Sequence, residues 1–161
     1  MGLYIAYNGV SPTTAAQIKV ATGATIKTLL QVATPSGTDI RIVEWGISFD
    51  AAAAAVPGTV ELLQTDVAAT VTSVTPTLYG HPNSPASACA GGAALTGHTA
   101  TAEGTITAVR MFDAQLIAPT NQYVKQFPLG REPLMGVSKF LRIRTTFAVT
   151  VNALCYIVWE E

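Results

Sequence analysis

An all-β fold is expected here: two sheets packed as a jelly-roll-like β-sandwich with one long irregular loop. Three observations predict it. Short runs rich in β-branched and aromatic residues recur along the chain. Turn residues punctuate them, at Asn8-Gly9, Pro35-Ser36-Gly37, Pro57-Gly58 and Pro128-Leu129-Gly130. And one stretch, residues 67–102, contains no Asp, Glu, Lys or Arg and is broken by Pro82, Pro85, Gly91 and Gly92. With 161 residues the chain has the length of one domain able to bury a core.

The elements follow in order. Residues 1–24 read as an N-terminal extended arm or edge strand, with a short strand at 4–7 and an edge segment at 17–20. Residues 25–161 read as the sandwich, with strands at 25–34, 40–49, 59–65, 105–112, 122–127, 140–147 and 150–159. Within the neutral loop 67–102, residues 70–74 have the composition of a strand and the remainder reads as irregular. Asp50 ahead of five alanines has the form of a cap on one helical turn. In I-R-I-V-E-W-G-I-S-F-D (40–50), Val43, Trp45, Ile47 and Phe49 alternate strictly with Glu44, Gly46, Ser48 and Asp50. The first set predicts a core row holding Trp45. In the last strand Val149, Val151, Ala153, Cys155, Ile157 and Trp159 make one apolar row, and Leu154, Tyr156 and Val158 a second. A strand wet on one side alternates more cleanly, so that second row is covered by the chain's own loops or by another chain.

Charged residues are only 12% of the chain, against a usual value of about 25%. Thr, Ala, Ser and Gly replace them, which suits surfaces that touch protein, because burying such residues costs little desolvation. The net charge of −1 and dispersed basic residues give no track for a nucleic-acid backbone. Arg142 and Arg144 share a strand face, read as solvated, with Glu44 as a cross-strand partner. There is no membrane-length apolar run. The N-terminal M-G-L-Y-I-A-Y-N-G lacks the basic region and apolar core of a signal peptide, so the expected site of folding is the cytoplasm.

No nucleotide-binding glycine loop, zincin helix or nucleophile elbow is present, so no catalytic, metal or cofactor residues are assigned. Glu44 and Asp50 share a face but lie roughly 20 Å apart at ~3.3 Å per residue, too far to act on one bond. His81, Cys89 and His98 fall short of a zinc ligand set. Cys155 reads as a small buried hydrophobe, and its pairing with Cys89 is left open. The segment Q-F-P-L-G-R-E-P is stiffened by its two prolines and presents Arg131 and Glu132 at low entropic cost. It reads either as a rigid connection with a local ion pair or as an anchor for a protein partner. Candidate partner contacts are therefore Pro128, Leu129, Gly130, Arg131 and Glu132 in that turn, with Tyr79 and His81 in the neutral loop.

The combination V-E-W-G-I-S-F-D, N-Q-Y-V-K-Q-F-P-L-G-R-E-P, L-R-I-R-T-T and a chain ending V-N-A-L-C-Y-I-V-W-E-E resembles small proteins encoded near the major capsid gene of tailed actinobacteriophages, the capsid decoration or cement proteins. The resemblance spans about residues 25–161. It implies a β-sandwich subunit, commonly a homotrimer, made in the host cytoplasm and bound to the capsid exterior, with the major capsid protein as partner. It implies no catalytic residues and no cofactor. A second reading is a carbohydrate-binding sandwich of a tail or fibre, with Tyr4, Tyr7, Tyr79 and Tyr123 stacking on sugars.

Overall fold

The computed structural model describes residues 2–51, 56–92 and 94–161, and among them every regular element is a strand. The helical turn expected after Asp50 falls on residues 52–55, outside the described residues. The strands are β1 (Leu3–Tyr7), β2 (Val20–Ala21), β3 (Ile26–Ala33), β4 (Ile40–Asp50), β5 (Gly58–Thr65), β6 (Thr70–Ser73) and β7 (Thr77–Leu78). They continue with β8 (Gly97–Ala102), β9 (Val109–Ile117), β10 (Gln122–Gln126), β11 (Leu134–Met135), β12 (Phe140–Thr146) and β13 (Asn152–Glu160). One sheet runs β10-β4-β13-β1-β7, with β11 and β2 paired beside it, and the other runs β6-β8-β3-β12-β5-β9.

The pairings nest as in one long hairpin: β1 with β13, β3 with β12, β4 with β10 and β5 with β9. Rolling that hairpin adds β13 to β4 and β12 to β5, which splits it into two facing sheets. That is the jelly-roll arrangement. Side chains of Tyr4, Ala6, Trp45, Ile47, Cys155, Ile157 and Trp159 from one sheet meet Leu30, Val32, Val60, Leu62, Leu141 and Ile143 from the other in a single core. Both tryptophans are fully enclosed, as the alternation of their strands predicts. Cys155 and Cys89 are buried and free.

Several expectations are corrected. Val43 is not in the core row. The β4–β13 ladder shifts register between Val158 and Trp159, which leaves Val43 as the extra residue while Ile42 and Trp45 both point inward. The strand expected at 105–112 begins at Val109, because the residues before it are used elsewhere. Val149 precedes β13 and is exposed. The neutral stretch is only partly irregular: it contributes β6, β7 and β8. Ahead of residue 25, the strand alternative describes the chain: β1 runs between β13 and β7 and places Tyr4 and Ala6 in the core, and β2 pairs with β13. Between β1 and β2 the buried Asn8 side chain takes the place of backbone, donating to Ala153 O and accepting from Cys155 N, each at 3.0 Å.

The outer face of the β3–β12–β5 sheet is where the expected solvated arginines lie, and one of them is not solvated. Arg142 has no solvent exposure. A strap formed by the segments flanking β6 and β8 crosses over it. The Glu103 carboxylate accepts from Thr28 N and Thr28 Oγ1, both at 2.6 Å, and from Arg142 Nη1 at 3.1 Å. Val67 O accepts from Arg142 Nη2. Asp66 clips the strap's far end, accepting from Thr107 and Ala108. Arg144 pairs with Glu61 at 2.7 Å, not with Glu44. Glu44 instead accepts from Tyr156 Oη.

Candidate functional site

The stiff turn of residues 128–133 leaves the sandwich at the β4 bulge. Phe127 N donates to Val43 O at 2.9 Å and Ile42 N donates to Pro133 O at 3.0 Å. The loop is thus anchored on both sides of the extra residue, between the β10 and β11 pairings. Within it Arg131 N donates to Pro128 O at 2.9 Å, and Gly130 has φ of +80°. That is a turn whose third residue must adopt a left-handed conformation, which Gly does without strain. Its second residue is Leu129, which is 96% exposed. Phe127 is buried at the base, and a shallow hollow lined by Val43, Gln126, Phe127, Leu129 and Glu132 lies beside the projection. Arg131 and Glu132 form no ion pair with each other, contrary to the rigid-connection reading.

Tyr79 and His81 lie elsewhere. Tyr79 follows β7, donates its N–H to Leu3 O and is 56% exposed. His81 Nδ1 accepts from Asn83 N at 3.2 Å, within an exposed turn. β7 and β10 are opposite ends of one sheet, four inter-strand spacings or roughly 19 Å apart. The candidate contacts therefore form two surfaces. Of the expected tyrosines only Tyr7 shares the surroundings of Tyr79: both act on Tyr156, whose pKa is raised by burial and by Glu44 first and by Tyr7 and Tyr79 after them. Tyr4 is buried and donates to Pro85 O, Tyr7 packs on Tyr156 and Tyr123 packs on Trp45. The Tyr7–Tyr156 pair also continues the outward row of Ile5 and Val158, which are only 6% and 1% exposed. The second apolar row of the last strand is thus partly enclosed by the chain itself.

A polar seam closes the sandwich between β9 and β10. Asp113 accepts from Gln115 Nε2 and Tyr123 Oη, both at 2.9 Å, with Lys125 Nζ at 3.3 Å. Burial pushes the Asp113 pKa up, but those donors outweigh it and hold the carboxyl below its ordinary value. Burial and the Asp113 carboxylate together raise Tyr123. Sequence reading missed this cluster, because its members come from two strands whose adjacency only the topology fixes. Among the described residues no group of three His, Cys, Asp or Glu side chains is placed to hold a metal ion. Cys89 sits in the core with its thiol pKa raised by burial and by Glu161. His98 lies on β8 with Nε2 buried and unpartnered, and burial lowers its pKa.

Compared with known protein families, with curated proteins and with solved structures, the chain matches none.

Proposed function

We propose that the protein is a phage capsid decoration protein: it binds the outer surface of the shell, bridges capsid subunits as a homo-oligomer, and does so by binding alone. The observation that carries this reading is the preformed projection at Leu129. A large apolar side chain held 96% exposed on a proline-flanked turn, hydrogen-bonded at both ends to the sheet, loses little entropy on docking into a partner's pocket. Such an anchor suits a partner surface better than it suits water. The resemblance in the last strand, the β4 strand and this same turn supports the capsid as that partner, and implies a trimer over local threefold positions. A multivalent subunit assembly ties several capsid subunits together, so weak single contacts add to avidity. Because it binds the assembled lattice and not free subunits, it stabilises that lattice by mass action.

The test is recruitment. Capsids stripped of this protein are expected to open at lower temperature than complete ones, and adding the wild-type chain back restores them. Leu129→Lys, a change at an exposed position, is expected to fold normally and fail to restore. Rebinding of that variant at the wild-type level, or density for the chain in the tail, refutes the reading.

A further inference from the structure

The two sheets have four terminal strands, and three are unsuited to further pairing. β7 has two residues, β6 has four, and β10 has five with Lys125 among them. β9 is different. It has nine residues, V-R-M-F-D-A-Q-L-I, with no proline and no lysine, and among the described residues nothing pairs with its outer edge. A long edge of this kind is a template for another strand.

The side-chain rows of β9 say which strand. The β5–β9 ladder shifts register between Leu62 and Leu63, leaving Phe112 as the extra residue. Arg110, Phe112, Asp113, Gln115 and Ile117 turn towards the sandwich: Phe112 and Ile117 pack on the core, Asp113 enters the polar seam, and Arg110 Nη1 donates to Leu134 O at 2.8 Å. The outward row is Val109, Met111, Ala114 and Leu116, with Val109, Met111 and Leu116 51%, 46% and 76% exposed. Without the bulge, strict alternation would have sent position 113 outward. With it, the outward row becomes symmetric about the Phe112–Asp113 peptide.

We infer that β9 pairs antiparallel with β9 of a second copy of this chain, on a twofold axis between Phe112 and Asp113. That register sets Val109 opposite Leu116 of the other copy and Met111 opposite Ala114, so four outward apolar positions become one stripe across the junction. Cross-strand apolar pairs of this kind stabilise a sheet. The charges fit as well. Arg110 faces Gln115 of the second copy and lies diagonal to its Asp113, and the two Asp113 residues, whose Cα atoms come within about 6 Å across the axis, each keep Lys125 of their own copy as counter-charge, with Tyr123 and Gln115 as donors. Registers displaced by one residue set the outward row opposite an inward one. The contact is isologous, whereas a threefold ring uses a heterologous one, so it joins one decoration unit to the next without competing for a trimer surface. It does not rest on the capsid reading.

Nitroxide labels on free protein test the register, with Cys89 and Cys155 buried and unreactive. Labelled Met111→Cys is expected to give a Cα separation of about 11 Å between copies and labelled Leu116→Cys about 24 Å, from the ~3.3 Å rise and ~4.8 Å strand spacing. Met111→Lys/Leu116→Lys is expected to raise the dissociation constant of the self-contact at least about tenfold in sedimentation equilibrium, with an unchanged circular dichroism spectrum. A wild-type chain that is monomeric at tens of micromolar, equal distances at the two labelled positions, or self-association that survives the double lysine variant overturns the inference.

Discussion

Glu103→Ala tests whether the strap holds the sheet or merely lies on it. Glu103 receives three hydrogen bonds, two from Thr28 and one from Arg142, and its side chain is 22% exposed while that of Arg142 is wholly buried. Burial lowers the guanidinium pKa from its usual value, and the Glu103 carboxylate opposes that shift. Removing one partner of a buried ion pair costs about 3–5 kcal/mol, because the other charge is left uncompensated. Two features move this case to the low end. Arg142 keeps the carbonyls of Glu103 and Val67 as acceptors, and the space left near a partly exposed carboxylate admits water. We therefore expect about 2–4 kcal/mol from urea unfolding. Arg142→Met in the same chain removes the stranded charge and is expected to recover part of that loss, since an apolar residue of similar volume often replaces a buried pair at little cost. A single variant that loses less than about 1 kcal/mol, or a double variant no more stable than Glu103→Ala, refutes the reasoning.

The two enclosed tryptophans are not equivalent: Trp159 Nε1 donates to Glu161 at 2.9 Å, whereas Trp45 Nε1 has no partner. Either residue changed to Ala is expected to cost about 3–5 kcal/mol, but Phe is expected to be tolerated better at position 45 than at 159, and the reverse order in denaturant melts would contradict these roles. Asp66 has its pKa lowered to about 2, chiefly by the Thr107 hydroxyl and then by Ala108 N–H. Its contribution is complete above the unfolded value of about 3.9 and is lost as pH falls through the folded one. The gap in melting temperature between wild type and Asp66→Asn should therefore narrow from pH 5 towards pH 2, and a pH-independent gap argues against the clip. At Gly130 an added Cβ meets nothing within 4 Å, but φ is +80°. Gly130→Ala should thus cost about 1 kcal/mol from backbone strain alone, and a neutral change would mean that the turn relaxes to another form.

What the sequence made legible followed from period and punctuation. Trp45, Ile47 and Phe49 alternate with polar residues over one uninterrupted strand, so their core row could be read directly, and Trp159 with Cys155 likewise. The bulge in β4 broke the reading, since one extra residue moves everything beyond it to the other face. Val43 lost its place in the row that way. The strap was illegible for a different reason. Residues 103–108 carry strand-forming threonines, yet they are held over the sheet by Glu103 and Asp66 through partners more than thirty residues away. Nothing local to Arg142 indicates a cover, so an alternating arginine reads as a wet one.

The same limit bears on the candidate surfaces. Period assigns residues to rows, but whether an outward row meets water, a strap or another molecule depends on which strands end the sheets. The insertion between β5 and β9 settles that here. It gives β7 to the β1 edge and β8, then β6, to the β3 edge, and it leaves β9 and β10 as ends. On the covered side, outward polar residues such as Gln31 are buried and bonded, with Gln31 Oε1 accepting from Ala69 N at 2.8 Å. On the open side, outward apolar residues of β9 are exposed, and Leu129 projects beside β10. Polar groups under cover and apolar groups in water reverse the usual burial preference. On the covered side the chain's own insertion accounts for the reversal. On the open side no part of the described chain does, and the apolar row of β9 and the anchor at Leu129 are the features that an external partner, whether capsid or second copy, would account for.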